Sequence, residues 1–536
     1  MDTHVARKLI KDTFENGFDK NNFYYFIKNL LNEIKEKDKD RFIYRGNFIP
    51  DAYKPQIKTL ERIGKYQDSK RNKIDLLIVQ LKKITSLEHA RTMQRNFIAW
   101  YLNGSRGDIL KDAALVAFVS PDQNEWRFSL VRMDYKIGKG GKVKQELTPA
   151  KRFSFLVGEN EASHTAQSKL APLIENDENN PTLDELEEAF NIEKVTKEFF
   201  EKYRELFHRV NDELEKLLKK DEKIKRDFEE KSVSTVDFAE KLLGQIVFLY
   251  FLQKKGWFGI RRGEDWRTGS KTFLRDLFDN KVIPYKNFFN DVLESLFYDA
   301  LARNRSDVDY FNPQFGCKIP FLNGGLFDPL GKYDWADTDI NLPNSLFSNQ
   351  IKTKEGDTGT GILDIFDRYN FTVKEDEPLD KEVAVDPEML GKVFENLLEV
   401  KDRKSKGTYY TPREIVHYMC QESLVNYLYT ELNSSSDGGR MDSSEVELIP
   451  KKDIETLIQL GEMAIEHDVT HLEKTAENGN YRGRYEKAKL PENVGENAKL
   501  IDEKLADIKV CDPACGSGAF LVGMMTEIIR ARNTLS

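Results

Sequence analysis

Short apolar runs alternate with charged segments along the first third of the chain, and this pattern predicts a small sheet flanked by helices. Residues 1–60 mix aromatic and charged positions, which favours short helices. The run at 74–82 is rich in branched side chains and flanked by charges, so it predicts a strand. The elements expected next are a helix at 92–102 and strands at 113–119 and 126–133, the strands being separated by a turn-forming segment.

Helical spacing of apolar residues dominates the middle of the chain. The stretch from Thr182 to about Lys231 is dense in Glu, Lys and Leu and predicts one long helical segment. Ser234 precedes Asp237 by three residues, a spacing that resembles a capping box at the start of an apolar helix running to Gly256. Beyond it, a composition richer in Asn, Asp, Gly and Pro predicts helices joined by structured loops.

Composition and charge narrow the class of protein. Although 32% of the residues are charged, 34 Phe and 21 Tyr supply enough apolar side chains for packed cores. The longest apolar run, 242–252, is shorter than the roughly 18 residues that cross a bilayer, and no export signal is visible, so a cytoplasmic location is expected. The four cysteines lack zinc-site or disulfide spacing. With a net charge of -9, any DNA contact must come from local patches.

The C-terminal segment carries the most informative local pattern. An apolar strand is expected at 508–510, followed by Asp512, a proline turn and then a helix beginning at Ala519. Gly516 and Gly518 let a ligand approach the backbone, and the helix N-terminus favours an anionic group. The glycine spacing disfavours a dinucleotide, and no phosphate-loop lysine follows, which disfavours ATP. The loop chemistry alone leaves a nucleotide site and a structural turn open.

Two longer strings resemble the N6-adenine DNA methyltransferases. Asp512 to Leu521 is similar to their first S-adenosylmethionine motif, and Gly407 to Met419 is similar to the motif that precedes it in the gamma arrangement. The resemblance implies S-adenosylmethionine as cofactor and double-stranded DNA as substrate. The cofactor-binding residues that it implies are Tyr410, Thr411, Pro412, Asp512, Pro513, Ala514, Cys515, Gly516, Ser517 and Gly518.

Further upstream segments resemble large fused restriction-modification enzymes of type IIG, which act in phage defence. They are residues 244–252, 321–327 and 385–397, so the resemblance covers about residues 235–536. The last of them overlaps a helix expected at 387–400. A flexible loop is expected at 433–439 from its Ser and Gly content, followed by polar helical material to about residue 505.

The catalytic motif of these methyltransferases is missing from the sequence. In the family, Asn, Asp or Ser followed by Pro-Pro and an aromatic residue holds the adenine that is flipped out of the duplex. No such string follows Asp512, and the similar string Asn312 to Phe315 precedes both cofactor motifs, so it is interpreted as a structural turn. We therefore expect neither complete cofactor binding nor methyl transfer from this chain alone. A gene fragment, a frameshifted product and a subunit paired with a second catalytic chain remain as alternatives.

Fused enzymes of this class often begin with a Mg²⁺-dependent nuclease, and the N-terminal strand offers candidates for one. The signature is Pro-Asp followed by acid-x-lysine, which Asp51, Asp75, Gln80 and Lys82 match in part. Two carboxylates could hold Mg²⁺ while Lys82 orients the nucleophile. Gln80 is a weaker metal ligand than Glu, and the alternative is a half-buried strand with solvated charges.

A basic and aromatic cluster follows this strand. Its members are Lys82, Lys83, Arg91 and Arg95, interleaved with Phe97, Trp100 and Tyr101. These residues could contact DNA phosphates or, alternatively, cap a helix.

Patterns and resemblance together predict a multi-domain, predominantly α protein with a small N-terminal α/β unit and the first strand and helix of a Rossmann-like methyltransferase domain at the C-terminus. The predicted domains are an α/β domain at 1–157, a charged helical linker at 158–233, a helical domain at 234–380 and an incomplete methyltransferase domain at 381–536. Three functions stay open: an adenine methyltransferase of a restriction-modification system, a cofactor- and DNA-binding subunit of a split enzyme, and a nuclease with a degenerate methyltransferase part.

Overall fold

The structure is a computed structural model that describes most of the chain. The described residues are 1–37, 40–84, 87, 90–104, 110–133, 136–137, 143–144, 150–176, 180–322, 325–353, 356–372, 380–386, 411–433, 448–461, 490–515 and 518–535. Outside these ranges lie Tyr410, Gly516 and Ser517, the helix expected at 387–400, and all but the first residue of the loop expected at 433–439.

A mixed seven-stranded sheet forms the N-terminal part of the molecule. Its strands in spatial order are β1 (Phe42–Arg45), β2 (Ile57–Gln67), β3 (Lys73–Leu81), β4 (Ala113–Val119), β5 (Glu125–Arg132), β8 (Lys151–Gly158) and β11 (Asp380–Glu382). A separate ribbon consists of β6 (Lys136–Ile137) and β7 (Val143–Lys144). Parallel pairing joins β3 to β4 and β8 to β11, and the other neighbours are antiparallel. The strands expected between residues 74 and 133 are confirmed.

Helices cover both faces of this sheet. On one face lie α1 (Thr3–Phe14), α2 (Lys20–Leu31) and α4 (His164–Glu175), and on the other lies α3 (Arg91–Leu102), which connects the parallel strands β3 and β4. Side chains alternate along a strand, so β3 contributes to both cores. Ile74 and Ile78 lie in the larger core, and Leu77 and Val79 lie in the smaller one. A strand buried on both faces explains the continuous apolar run in the sequence.

The segment expected to form one long helix between residues 182 and 231 is divided into three. These helices are α5 (Leu183–Ala189), α6 (Ile192–Lys220) and α7 (Glu222–Glu230). The breaks fall at Asn191 and Asp221, because their side chains accept hydrogen bonds from the first backbone N–H groups of the helix that follows. The expectation of helix is confirmed, and the expectation of a single uninterrupted helix is wrong.

The helix start expected at Ser234 is confirmed, but only half of the expected capping box forms, because the Asp237 carboxylate accepts from the Ser234 hydroxyl and not from its backbone N–H. The side chain of Ser234 accepts a hydrogen bond from the Asp237 N–H at 3.0 Å and donates one to the Asp237 carboxylate at 2.6 Å. It opens α8 (Thr235–Lys254), most of whose apolar residues are buried. Within the described ranges, no helix is both long enough and apolar enough to cross a membrane.

Short helices and loops complete the central part of the chain. They are α9 (Phe273–Phe278), two π-helical turns at Phe288–Leu293 and Ser295–Leu301, the hairpin of β9 (Phe311–Asn312) and β10 (Cys317–Lys318), α10 (Asn344–Phe347) and α11 (Ile362–Phe366). The Asn312 side chain accepts hydrogen bonds from the N–H groups of Gln314 and Phe315, which confirms the structural turn expected there. One hydrophobic core runs from α1 to Val385, and the predicted domain limits stay predictions.

The C-terminal helices share a core of their own. They are α12 (Arg413–Asn433), α13 (Lys451–Glu455), a π-helical turn at Thr456–Leu460, α14 (Glu492–Glu496), α15 (Ala498–Asp507) and α16 (Ala519–Leu535). The strand expected at 508–510 is wrong, because these residues pair with no described strand and Val510 is 43% exposed. A strand needs a neighbour for its backbone hydrogen bonds, so the Rossmann-like unit stays a prediction.

A buried network of charges attaches β11 to the sheet. Asp380 pairs in register with Arg152 of β8, and the Arg152 guanidinium lies 2.7 Å from the Asp380 carboxylate. Arg91 of α3 contacts both Asp380 and Glu382, and Arg127 of β5 lies 2.7 Å from Glu382. These five residues are at least nine-tenths buried, so each charge depends on its partners.

The pKa values of the two carboxyl groups in the network are lowered by the arginines beside them. Burial by itself raises the pKa of Glu382, but Arg127 and Arg91 outweigh it and hold that pKa at about 2. The same balance, with Arg152 and Arg91 as the cations, holds the pKa of Asp380 well below its usual range. Both carboxylates are therefore ionised in the folded protein at neutral pH.

Replacing Arg152 with alanine is expected to destabilise the protein severely. It would remove the closer of the two arginines that contact the fully buried Asp380, and breaking a buried ion pair costs about 3–5 kcal/mol. The matched control is Arg132→Ala, whose ion pairs with Asp184 and Glu187 are partly exposed and should contribute below about 1 kcal/mol. Urea unfolding of the two variants measures the difference, and equal losses would contradict the structural role of the network.

A second buried carboxyl, Glu294, has no cation beside it among the described residues. It lies between the two π-helical turns, is fully buried, and accepts a hydrogen bond of 2.6 Å from the Tyr333 hydroxyl. Burial raises the pKa of Glu294 to about 9, although the Tyr333 hydrogen bond lowers it. The folded protein therefore holds this carboxyl protonated at neutral pH, whereas the unfolded chain ionises it.

This difference predicts a loss of stability as the pH rises. Between about pH 4.5 and about pH 9, the folded state binds a proton at Glu294 that the unfolded chain has released, so the free energy of unfolding falls with pH. Glu294→Gln should make that decline shallower, and the exposed Glu503→Gln should leave it unchanged. Urea unfolding at about pH 5, 7 and 8.5 checks both, and parallel curves for wild type and Glu294→Gln would refute the assignment.

Candidate cofactor site

Two helices, α12 and α16, pack tightly beside the candidate cofactor loop. A Cβ atom at Gly523 of α16 would lie 2.7 Å from Val416 Cγ1 and 3.5 Å from Cys420 Sγ, both on α12. Valine is stiff at χ1 and cannot easily move aside, so the close approach requires glycine. The Cys420 thiol also lies 3.7 Å from the backbone oxygen of Phe520, in the first turn of α16.

A buried carboxylate joins the same two helices. Glu527 of α16 is 1% exposed and lies 2.7 Å from His417 Nδ1 on α12. Gln421 Nε2 donates to the other carboxylate oxygen at 3.1 Å, and Arg530 contributes a contact of 3.3 Å. Burial raises the pKa of Glu527, but these donors outweigh it and the pKa lies below its ordinary value. These contacts of Glu527 fix the position of α12 relative to α16.

The loop before α16 presents an acceptor and open space. Asp512 Oδ1 accepts a hydrogen bond of 3.0 Å from the Ala514 N–H, while Asp512 Oδ2 is enclosed and has no hydrogen-bond partner among the described residues. Gly518 has a φ of +80°, and no described atom lies within 4 Å of the position a Cβ would take. Its N–H donates to Cys515 O at 2.7 Å, which turns the chain into the helix.

The described parts of the two candidate cofactor motifs lead into this helix pair. α12 begins directly after Thr411 and Pro412, and the Pro412 carbonyl accepts hydrogen bonds from the N–H groups of Ile415 and Val416. Pro513, Ala514 and Cys515 are exposed on the loop that precedes α16. The expected helix start at Ala519 is confirmed.

Comparison with known proteins adds one relative. Over 313 residues the chain is 26% identical to a protein of Methanocaldococcus jannaschii that is named "Putative type II restriction enzyme and methyltransferase RM.MjaORFECS2P". The matched region is 56% of this chain, and the chain spans about a fifth, 21%, of the relative's length. No family model matches the chain, and no solved structure matches it. The similarity supports a relationship with restriction-modification proteins.

Asp75, one of the nuclease candidates, takes part in a buried structural cluster. It is 2% exposed, and its carboxylate accepts hydrogen bonds from Arg62, at 3.2 Å, and from the Tyr101 hydroxyl. Lys111 Nζ lies 3.8 Å away. These partners hold Asp75 on the face of the sheet that α3 covers, where Leu77 and Val79 also lie.

The structure does not bring the other nuclease candidates to Asp75. Gln80 is five residues further along β3 and therefore points to the opposite face, where it accepts a hydrogen bond of 3.3 Å from Thr59. Asp51 is exposed and pairs with Lys54, and Lys82 is exposed. Within the described ranges, no group of three His, Cys, Asp or Glu residues could hold a metal ion. Mg²⁺ has no support from this arrangement.

The basic and aromatic cluster expected after β3 is divided by burial. Arg91 and Arg95 are 8% and 2% exposed, and Phe97, Trp100 and Tyr101 belong to the core beneath α3. The expectation that Arg91 and Arg95 contact DNA phosphates is therefore wrong, because the interior between α3 and the sheet takes up their side chains. Lys82 and Lys83 remain exposed.

Sequence reasoning missed the contacts that hold α12 against α16. In the sequence, Gly523 lies two residues beyond the position that the third glycine of a dinucleotide motif would take, and His417 lies within the string from Gly407 to Met419. The available signal is spacing, because His417 and Gln421 lie four residues apart on one helix, as do Gly523 and Glu527 on the other. That spacing places each pair on one helix face without identifying the partner.

Gly523→Ala is expected to destabilise the C-terminal helices although alanine favours helix. The new Cβ would meet Val416, and the strain should exceed the gain of about 0.5–1 kcal/mol from replacing a helical glycine. Gly495→Ala in α14 is the control, since no described atom lies within 4 Å of its Cβ position and the same gain should be seen. Thermal unfolding followed by circular dichroism compares the two, and a stabilised Gly523→Ala would contradict the close packing.

Proposed function

We propose that this chain is part of a restriction-modification enzyme that methylates adenine N6 in duplex DNA, with S-adenosylmethionine held at the loop from Asp512 to Gly518. The relationship to restriction-modification proteins rests on the similarity to the Methanocaldococcus jannaschii protein. The cofactor and the adenine specificity rest on the resemblance of Asp512 to Leu521 and Gly407 to Met419 to the adenine methyltransferase motifs.

The single observation that carries the cofactor proposal is the enclosed Asp512 Oδ2 atom, which has no hydrogen-bond partner among the described residues. A carboxylate oxygen without a donor is costly unless a ligand supplies one. S-adenosylmethionine offers an ammonium group and ribose hydroxyls, and both are suitable donors. The open space at Gly518 would let such a ligand reach the backbone.

The residues of the loop and of the two helices would have different roles in binding the cofactor. Asp512 would accept hydrogen bonds, and the N-terminus of α16 would favour the cofactor carboxylate. Gly523 and Glu527 would act indirectly, by holding α16, which follows the loop, against α12, which follows Thr411 and Pro412. The cofactor, when bound, supplies an activated methyl group.

The sequence also allows two other functions. A split enzyme, in which a second chain carries the Asn-Pro-Pro-Tyr-type motif, would use the same cofactor loop. A nuclease at the N-terminus would need Asp51, Asp75, Gln80 and Lys82 to act together, and Asp75 and Gln80 lie on opposite faces of β3. An in-frame continuation containing Asn-Pro-Pro-Tyr after the Ser536 codon would favour the single-chain enzyme over the split one.

Cofactor binding to the full chain tests the proposal. Ultraviolet cross-linking of radiolabelled S-adenosylmethionine registers even weak complexes, and Asp512→Ala should reduce the labelling at least about ten-fold through loss of a charged hydrogen bond. Asp507→Ala removes a nearby exposed carboxylate and should leave the labelling unchanged.

Competition identifies the ligand class in the same assay. Excess S-adenosylhomocysteine should abolish the labelling, and ATP or NAD should not. Labelling that is equal in Asp512→Ala and wild type, or that ATP removes, would overturn the cofactor assignment.

A further inference from the structure

The outer edge of the N-terminal sheet carries a row of polar side chains at one end. Arg45 of β1 pairs in register with Thr59 of β2, which pairs with Gln80 of β3. Residues opposite each other in a sheet share a face, and this face is the one that contains Ile78 rather than Leu77. Lys82 continues the row just beyond the end of β3, where its N–H donates to the Gln56 carbonyl at 2.8 Å.

Positive charge accumulates around this row. Arg45, Lys58, Lys82 and Lys83 are all exposed, and among the described residues none of the four has an ion-pair partner. We call these four residues the edge patch. The acidic side chains Asp40, Asp51 and Glu61, which are close to the edge patch in sequence, pair with Lys65, Lys54 and Lys20. Although the chain has a net charge of -9, these four cations give this surface a local positive charge.

Apolar side chains flank the edge patch. Ile43, which shares a face of β1 with Arg45, is 55% exposed, and Ile84, two residues beyond Lys82, is 60% exposed. β1 is also the last strand at its side of the sheet. The surface therefore combines cations with contact area, which suits a polyanion of extended shape.

We propose that the edge patch binds the phosphate backbone of duplex DNA without cleaving it. Neighbouring strands lie about 4.8 Å apart, so Arg45 is about 10 Å from Gln80 across the sheet, and Lys82, two residues further along, is far enough from Arg45 to contact a different phosphate. This inference rests on the proposed function for its choice of DNA as the partner. Anionic lipid headgroups also carry phosphate, so the test below distinguishes binding to DNA from binding to a lipid surface.

The position of the carboxylates argues against cleavage of DNA at the edge patch. Asp75 lies on the opposite face, where Arg62 and Tyr101 hold it, and the polar row has a neutral Gln80 in place of an acid. Without two acidic ligands on one side, the described part of this surface has cations for phosphate but no site for the metal that hydrolysis needs. The edge patch is thus a positioning surface for DNA.

The double variant Arg45→Glu/Lys82→Glu tests the surface in the full chain. Fluorescence anisotropy with a labelled DNA duplex should show binding that is at least about ten-fold weaker at low salt. The slope of log affinity against log salt concentration should decrease in magnitude by about 2, because two phosphate contacts are lost. The matched control, Lys197→Glu/Arg226→Glu, makes the same charge change on exposed residues of α6 and α7 and should bind as wild type.

Three results would overturn the inference. They are equal DNA binding by the two double variants, tighter binding of the wild type to phosphatidylserine vesicles than to DNA, and Mg²⁺-dependent cleavage that Lys82→Ala abolishes. Cross-linking of S-adenosylmethionine in the same preparations keeps the two proposals apart. Loss of DNA binding with normal cofactor labelling supports the edge patch, whereas DNA binding that is unaffected in Arg45→Glu/Lys82→Glu refutes it without touching the cofactor site.

Discussion

The ion pair between Arg152 and Asp380 is the constraint on which the attachment of β11 to the edge of the N-terminal sheet depends. β11 contains three residues, two of them acidic, and a strand so short and polar has little tendency to join a buried sheet. It does so because the guanidinium groups of Arg152, Arg91 and Arg127 compensate its charges inside the core. The network thereby attaches the segment that precedes residue 387 to strands more than 200 residues earlier in the chain.

Local patterns allow much of this fold to be predicted, because they depend on neighbouring residues. The strand at 73–81 follows from its branched apolar run, and the start of α8 follows from Ser234 and Asp237. β11 cannot be predicted in this way. The residues from Asp380 to Glu382 have the composition of a loop, and the arginines that compensate their charges, such as Arg152, are more than 200 residues away in the sequence.

In the candidate cofactor site, too, the local features can be predicted from the sequence and the long-range contacts cannot. The turn at Asp512 and the helix start at Ala519 are encoded within a few residues and can be predicted from them. The strand expected before them finds no partner among the described residues, because β pairing is a property of two segments and not of one. The role of Gly523 likewise depends on Val416, which lies on a helix more than 100 residues earlier in the sequence.

Burial, not residue type, decides which cations of the N-terminal part can meet a ligand. Arg91 and Arg95 resemble Lys82 and Lys83 in any count of charge, yet the first two lie beneath the sheet and the others face solvent. A net charge of -9 therefore does not argue against DNA contact, since the four exposed cations of the edge patch have no ion-pair partner among the described residues. The same sorting removes Asp75 from the surface, so the sheet end that has the cations for DNA lacks the carboxylates for cutting it.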